Sequence, residues 1–136
     1  VIIDANIGLK WVLDQADSEK AGALADRGDL SVPSHFYFEI ATVLTRLSRQ
    51  KVIARTLVRP SLETIRAVAM RVFPFEQVLD EAVALSLRLH AATSDCLYLA
   101  LALAEDEVLV TADVRFKNAV SRDPDLAGRV RLLREV

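Results

Sequence analysis

The amino-acid sequence predicts an α/β fold, a mostly parallel sheet of four to five strands with helices on both faces. Short β-branched runs alternate along the chain with stretches of helical period. Strands that take turns with helices argue for parallel pairing under two helical layers. The chain has 136 residues with four glycines and four prolines, and no repeat, low-complexity tract or linker. It therefore reads as one domain over residues 1–136, long enough to bury a core.

The elements follow in order. Val1-Ile2-Ile3 reads as the first strand, followed by a helix through Ile7, Leu9, Trp11, Val12 and Leu13 and a second helix over Ser18–Arg27. Leu30-Ser31-Val32-Pro33 is a second strand, and Ser34 is placed to N-cap a helix whose stripe is Phe36, Ile40, Val43, Leu44 and Leu47. Thr56–Ala69 is helical, with Pro60 in the first turn, where a missing N–H does no harm. Arg71–Phe75 is a third strand, and Pro74 assigns it to an edge. Residues 80–91 form a helix, and Asp95 opens another to Glu105 that is apolar nearly all round and therefore buried on several sides. Val108-Leu109-Val110 is a fourth strand, a short helix follows Asp113, and Val130–Leu133 is a weak last strand.

Composition narrows the function classes. The longest apolar run, Cys96–Ala104, has nine residues, against the roughly 18 a membrane span needs. Cys96 is the only cysteine, so neither a disulfide framework nor a thiolate zinc cluster is available. With no signal pattern at the N-terminus, the expected location is cytoplasmic. The chain opens on Val1 rather than Met, so further residues are expected before it. Net charge is −2, but it is unevenly spread. Residues 1–30 hold six acids and three bases, whereas Arg46, Arg49, Lys51, Arg55, Arg59, Arg66 and Arg71 face one acid, Glu63, in the segment 46–71. An acidic pocket beside a phosphate-attracting surface would show this asymmetry, and so would a solvated helix face.

Four acids stand out because their neighbours are apolar: Asp4 after Ile3, Glu39 between Phe38 and Ile40, Asp95 before Cys96-Leu97, and Asp113 after Thr111-Ala112. Each has an ordinary explanation, a helix cap for the three aspartates and a good helix former in Glu39. Their joint placement is more specific. Asp4 and Asp113 follow two strands of a presumed parallel sheet, where ligands of open α/β folds bind. Asp95 opens a helix that returns to the fourth strand, so its start falls at the same rim. Glu39 reaches that rim if its helix starts there, after the second strand. Carboxylates crowded together repel and raise one another's pKa values, and a divalent cation relieves this. With oxygen donors alone the expected ion is Mg²⁺ or Mn²⁺, able to activate water for phosphodiester hydrolysis. Asn6 is either a turn residue or a holder of a water or a carboxylate.

These motifs resemble the PIN-domain ribonucleases, in particular VapC-type toxins of bacterial toxin–antitoxin pairs. The stretches that carry the resemblance are Val1–Asn6 with Lys10-Trp11, Val32-Pro33-Ser34 with Phe38–Ala41, Asp95–Ala102, and Leu109–Asp113. The resemblance implies a three-layer α/β/α fold and metal-dependent endonuclease activity on RNA. It implies a metal site of Asp4, Glu39, Asp95 and Asp113, supported by Asn6 and Thr111. It also implies a homodimer and a cognate antitoxin. Arg46, Arg49, Arg55 and Arg59 are then candidates for contact with the RNA backbone, or for a solvated or antitoxin-facing role. Two departures stand out: Cys96 where the family has a small Ala, and Glu105-Asp106-Glu107 in place of a glycine-containing turn. Tyr98 and Leu101 read as core, Trp11 as core or a dimer contact rather than a base-stacking platform, and His35 and His90 as surface or capping residues. A phosphoacceptor receiver domain would need paired acids after the first strand and a lysine after the last, and a haloacid-dehalogenase-like phosphatase would need Asp where Asn6 stands. A PIN-like module that binds RNA or protein without cutting keeps the same acids and is the alternative reading.

Overall fold

All five expected strands form, and they pair in parallel in one sheet of order β3-β2-β1-β4-β5: β1 (Ile2–Ile3), β2 (Ser31–Pro33), β3 (Arg71–Phe73), β4 (Leu109–Thr111) and β5 (Val130–Leu132). The computed structural model describes residues 1–136. Consecutive strand residues point to opposite faces. Ile2 and Ile3 are both 0% exposed, so both faces of the central strand are covered, and the fold is a three-layer α/β/α sandwich.

Seven helices connect and cover the sheet: α1 (Ala5–Leu9), α2 (Ser18–Ala25), α3 (Phe36–Arg49), α4 (Val58–Arg66), α5 (Leu79–Leu89), α6 (Thr93–Ala104) and α7 (Val114–Ser121). None is long and apolar enough to cross a membrane. The helix expected to be apolar all round is α6. Every residue from Cys96 to Ala102 is buried, and the helix packs against β1, β2, β4 and α5. Trp11 is half-buried against the core and donates its indole N–H to the Ala21 carbonyl at 2.7 Å.

Several local expectations are corrected. The first helix stops at Leu9 rather than Leu13, because Lys10, Trp11 and Val12 bond to carbonyls three residues back and tighten the chain into turns. Ser34 does not cap α3. Its hydroxyl accepts the Phe75 amide at 2.9 Å across the sheet edge, and the cap position falls to His35, whose side chain makes no capping bond. The Thr56–Ala69 helix begins as a 3₁₀ turn over Arg55–Leu57 and is α-helical only to Arg66. β3 is an edge strand as expected but ends at Phe73, with Pro74 just beyond. Asp95 is the third residue of α6, not its cap. In the turn before β4, Asp106 takes the left-handed conformation (φ 52°) that a glycine ordinarily supplies.

One close approach fixes how the first two helices after β1 and β2 meet. A Cβ on Gly8 of α1 would lie 2.6 Å from Cζ of Phe36 and 3.2 Å from Cδ1 of Ile40, both on α3. The bare backbone lets α1 lie directly on α3. Gly22 in α2 has nothing within 4 Å of the same added atom. The same substitution should therefore have opposite signs at the two sites. Gly22→Ala should stabilise the chain by about 0.5–1 kcal/mol by restricting the unfolded backbone. Gly8→Ala should destabilise it by about 1–3 kcal/mol through overpacking. Denaturant midpoints of the two variants check this.

Candidate active site

The acids gather where the sheet changes direction. β1 lies at the centre, with β2 on one side and β4 on the other. Open parallel sheets hold ligands at such a switch point, beyond the carboxyl ends of the strands. The register pairs Ile3 with Val110, so the next residues, Asp4 and Thr111, fall side by side. The Thr111 hydroxyl donates to Oδ2 of Asp4 and accepts the Asp113 amide at 3.0 Å. Asp4 also caps α1, its Oδ1 accepting the Ile7 amide at 3.3 Å, and Asp113 caps α7, its Oδ1 accepting the Phe116 amide at 3.0 Å. The capping explanation thus holds for both residues. Asp4 is also buried with its carboxylate on a cavity.

Glu39 and Asp95 arrive from the other elements. Glu39 lies one turn into α3, and its Oε1 accepts the Tyr98 hydroxyl at 2.5 Å and faces Nε2 of His35 at 3.1 Å. The same His35 nitrogen is 3.1 Å from the Ser94 carbonyl in the first turn of α6. The carboxylate of Asp95, beside Ser94, accepts no hydrogen bond from the protein.

Asp4, Asn6, Glu39, Asp95 and Arg46 line one cavity of about 480 Å³. Asp113 lines an adjoining cleft of about 450 Å³ that shares Asp95 with the first. Arg49, Arg55 and Arg59 line a separate groove of about 750 Å³ with Thr45, Ser48 and Thr56, and no acid enters it. The four arginines therefore divide, Arg46 with the acids and the other three apart. No three His, Cys, Asp or Glu side chains stand close enough to hold one ion between them as they are arranged here.

The electrostatics couple the acids all the same. Burial first, and then the charges of Asp95 and Glu39, push Asp4 up to about 7 against the pull of Thr111 and Ile7. Burial, Glu39 and Asp113 push Asp95 up to about 6. Burial also acts to raise Glu39, but the hydrogen bonds from His35 and Tyr98 offset it and leave that carboxyl below its ordinary range. One acid is thus held ionised while two resist ionisation, a division typical of functional clusters.

Two residues that the sequence does not assign to the site, His35 and Tyr98, contact Glu39. His35 is not a surface residue. Its side chain is 10% exposed and packs on the Tyr98 ring, with centroids 4.6 Å apart. Tyr98 is core, as expected, but its hydroxyl also reaches the site. The signal that could have found His35 was its spacing, four residues before Glu39 on one helix face. His90 is exposed, at the end of α5 in the left-handed conformation.

An all-parallel α/β/α sandwich with a carboxylate cleft at its switch point defines the class of protein. The PIN domain family model matches residues 1–121, and the chain belongs to the PIN-domain family. No curated protein matches the sequence. Among solved structures, the chain is similar to PAE2754 from Pyrobaculum aerophilum, at 16% identity and a TM-score of 0.71 over 98% of this chain and 83% of that one. It is similar to a toxin–antitoxin complex from Klebsiella pneumoniae (16% identity, TM-score 0.62, 98% and 97% covered). It is also similar to VapBC2 from Rickettsia felis bound to a DNA fragment from its promoter (16% identity, TM-score 0.65, 96% and 96% covered). At this identity the structural likeness establishes the fold alone.

The raised acids give stability a pH dependence of definite sign. Asp4 and Asp95 bind protons more tightly in the folded chain than in the unfolded one, so their contribution falls as pH rises from about 4 to about 7 and is unfavourable above that. In chelator-treated buffer, Asp95→Asn should be more stable than wild type at about pH 8, by roughly 1 kcal/mol once partial exposure is discounted. The gain should vanish near pH 4. Thermal denaturation of both proteins across this range checks it; a gain independent of pH would contradict the coupling.

Proposed function

We propose that this chain, as one domain over residues 1–136, is a metal-dependent endoribonuclease and the toxin of a VapBC-type toxin–antitoxin pair. The observation that carries the reading is the pair Asp4 and Asp95 on one cavity, each pushed towards the protonated form by burial and by its acidic neighbours. A hard divalent cation relieves that repulsion, and the all-oxygen donor set fits Mg²⁺ or Mn²⁺. Asp4, Glu39, Asp95 and Asp113 would hold it by closing on it from their present spacing, and when bound it would supply water activation and charge stabilisation on the phosphodiester.

The chain's own groups do the rest. Thr111 orients Asp4 and the backbone of Asp113 together. Asn6, exposed on the cavity wall, offers an amide to water or substrate. Arg46 neutralises phosphate charge at the cavity, while Arg49, Arg55 and Arg59 take the flanking backbone in their groove. None of the four is engaged in an ion pair with another residue. The descriptions of the Klebsiella and Rickettsia structures support an antitoxin as partner. A homodimer in the cytoplasm completes the proposal, as the resemblance to VapC-type toxins implies.

Incubation of the purified chain with structured RNAs and Mg²⁺ or Mn²⁺ should give cleavage that a chelator abolishes. Asp4→Asn and Asp95→Asn should each lower the rate on the order of 100-fold. Equal cleavage by all three proteins would refute the assignment, and RNA bound but left intact would favour a binding module. In the Asp95→Asn background, replacing Arg49, Arg55 and Arg59 by Ala should weaken RNA binding and flatten the salt dependence by about 0.7 log units per arginine. Fluorescence anisotropy against salt concentration measures that slope.

A further inference from the structure

Glu39 is held from one side only. Both of its neighbours reach the same oxygen, the Tyr98 hydroxyl at 2.5 Å and His35 Nε2 at 3.1 Å from Oε1, while Oε2 takes no hydrogen bond from the protein. Oε2 is not buried, on a side chain that lines the cavity. The donor groups are themselves fixed. Nε2 of His35 faces two acceptors, Glu39 and the Ser94 carbonyl at 3.1 Å, whereas Nδ1 is buried without any partner. A proton on Nδ1 would be an unsatisfied buried donor, so the ring carries its proton on Nε2. Tyr98 is 1% exposed, and its hydroxyl donates to Oε1 of Glu39.

We propose that Tyr98 and His35 are a pair of positioning residues that pin Glu39 through Oε1 and leave Oε2 as its single oxygen for a ligand in the cavity. The proposal rests on the nuclease reading for the identity of that ligand, but the clamp itself does not. The pair also ties two elements together. His35 and Glu39 belong to the start of α3, Ser94 and Tyr98 to the first turns of α6, and both helix starts meet at the rim where β1 ends. The polar groups that stand behind the oxygens of a metal site commonly set its affinity as strongly as the oxygens themselves. Here they restrict Glu39 to one-point contact, which leaves room in the cavity for the other donors or for water.

Two measurements test the pair. In the first, a proton spectrum of the intact chain should show a far-downfield hydroxyl resonance from the short Tyr98–Glu39 bond. It should disappear in Tyr98→Phe and shift in Glu39→Gln. In the second, Mn²⁺ binding followed by electron paramagnetic resonance should weaken about 10-fold or more in Tyr98→Phe and in His35→Ala. His35→Gln, which keeps a donor near the Nε2 position, should restore most of the affinity. In cleavage assays the same losses should fall on kcat, with KM unchanged. Mn²⁺ affinity within twofold of wild type in both variants, while Glu39→Gln loses binding, would overturn the proposal. If wild type binds no Mn²⁺, the nuclease reading fails and the hydroxyl resonance decides: its presence upholds the clamp, its absence overturns it.

Discussion

A single buried hydroxyl organises the site. Thr111 ends β4 beside the end of β1, and its Oγ1 has one proton to give and lone pairs to accept. The proton goes to Asp4 and a lone pair takes the Asp113 amide. That arrangement sets the spacing of the first and last acids, and it depends on the parallel register that aligns β1 with β4. It also sets where two helices begin, because Asp4 and Asp113 each cap the helix that follows. A shift of β4 by one residue would turn the Thr111 side chain to the opposite face of the sheet and break all of these relations at once.

The cluster works against the fold that holds it. Asp4 and Asp95 are destabilising when ionised, since burial and mutual repulsion both oppose their charge. What tolerates them is the core beneath. α6 buries seven consecutive residues against three strands and carries Asp95 and Tyr98 at its start. Gly8 brings α1 down onto α3 without a side chain between them, so Asp4 and Glu39 face one cavity. The energy of packing thus offsets a local arrangement that would not form by itself. Proteins accept such local conflict chiefly where function requires it.

Much of this was legible in the chain. The five strands, their parallel pairing and the burial of α6 follow from hydrophobic pattern and the alternation of strands with helices, most plainly at β1, whose two residues are both apolar and covered. Asp4 and Asp113 were placed by topology alone. Details that depend on competition between partners were not legible. Ser34 looks like a cap and instead bonds Phe75, which is 41 residues away in sequence. Asp95 looks like a cap and lies inside the helix, which frees its carboxylate. His35 gave no sign of burial, since only the tertiary meeting of α3 with α6 puts Tyr98 and Ser94 against it. The split of the arginines between two hollows was also hidden, because charge along a sequence does not say which turn of a helix faces which neighbour.

The reversal of charge along α3 ties these features to one another. Glu39 and Arg46 lie seven residues apart, roughly 10 Å along the helix axis, and Arg49 follows one turn later on the groove without acids. A polyanion attracted to Arg49, Arg55 and Arg59 meets a repulsive field as it nears Asp4, Glu39 and Asp95. Arg46 alone bridges the two regions. A cation among the carboxylates would reverse the sign of the field at the cavity and make one continuous attractive path. Under the proposed nuclease function the acids and the arginines are a single device: the basic groove would supply affinity for a chain of phosphates, and a cation-loaded cavity would admit the one to be cut. On the same reading a chain lacking the cation would bind a polyanion in the groove of Arg49, Arg55 and Arg59 and hold it clear of the carboxylates.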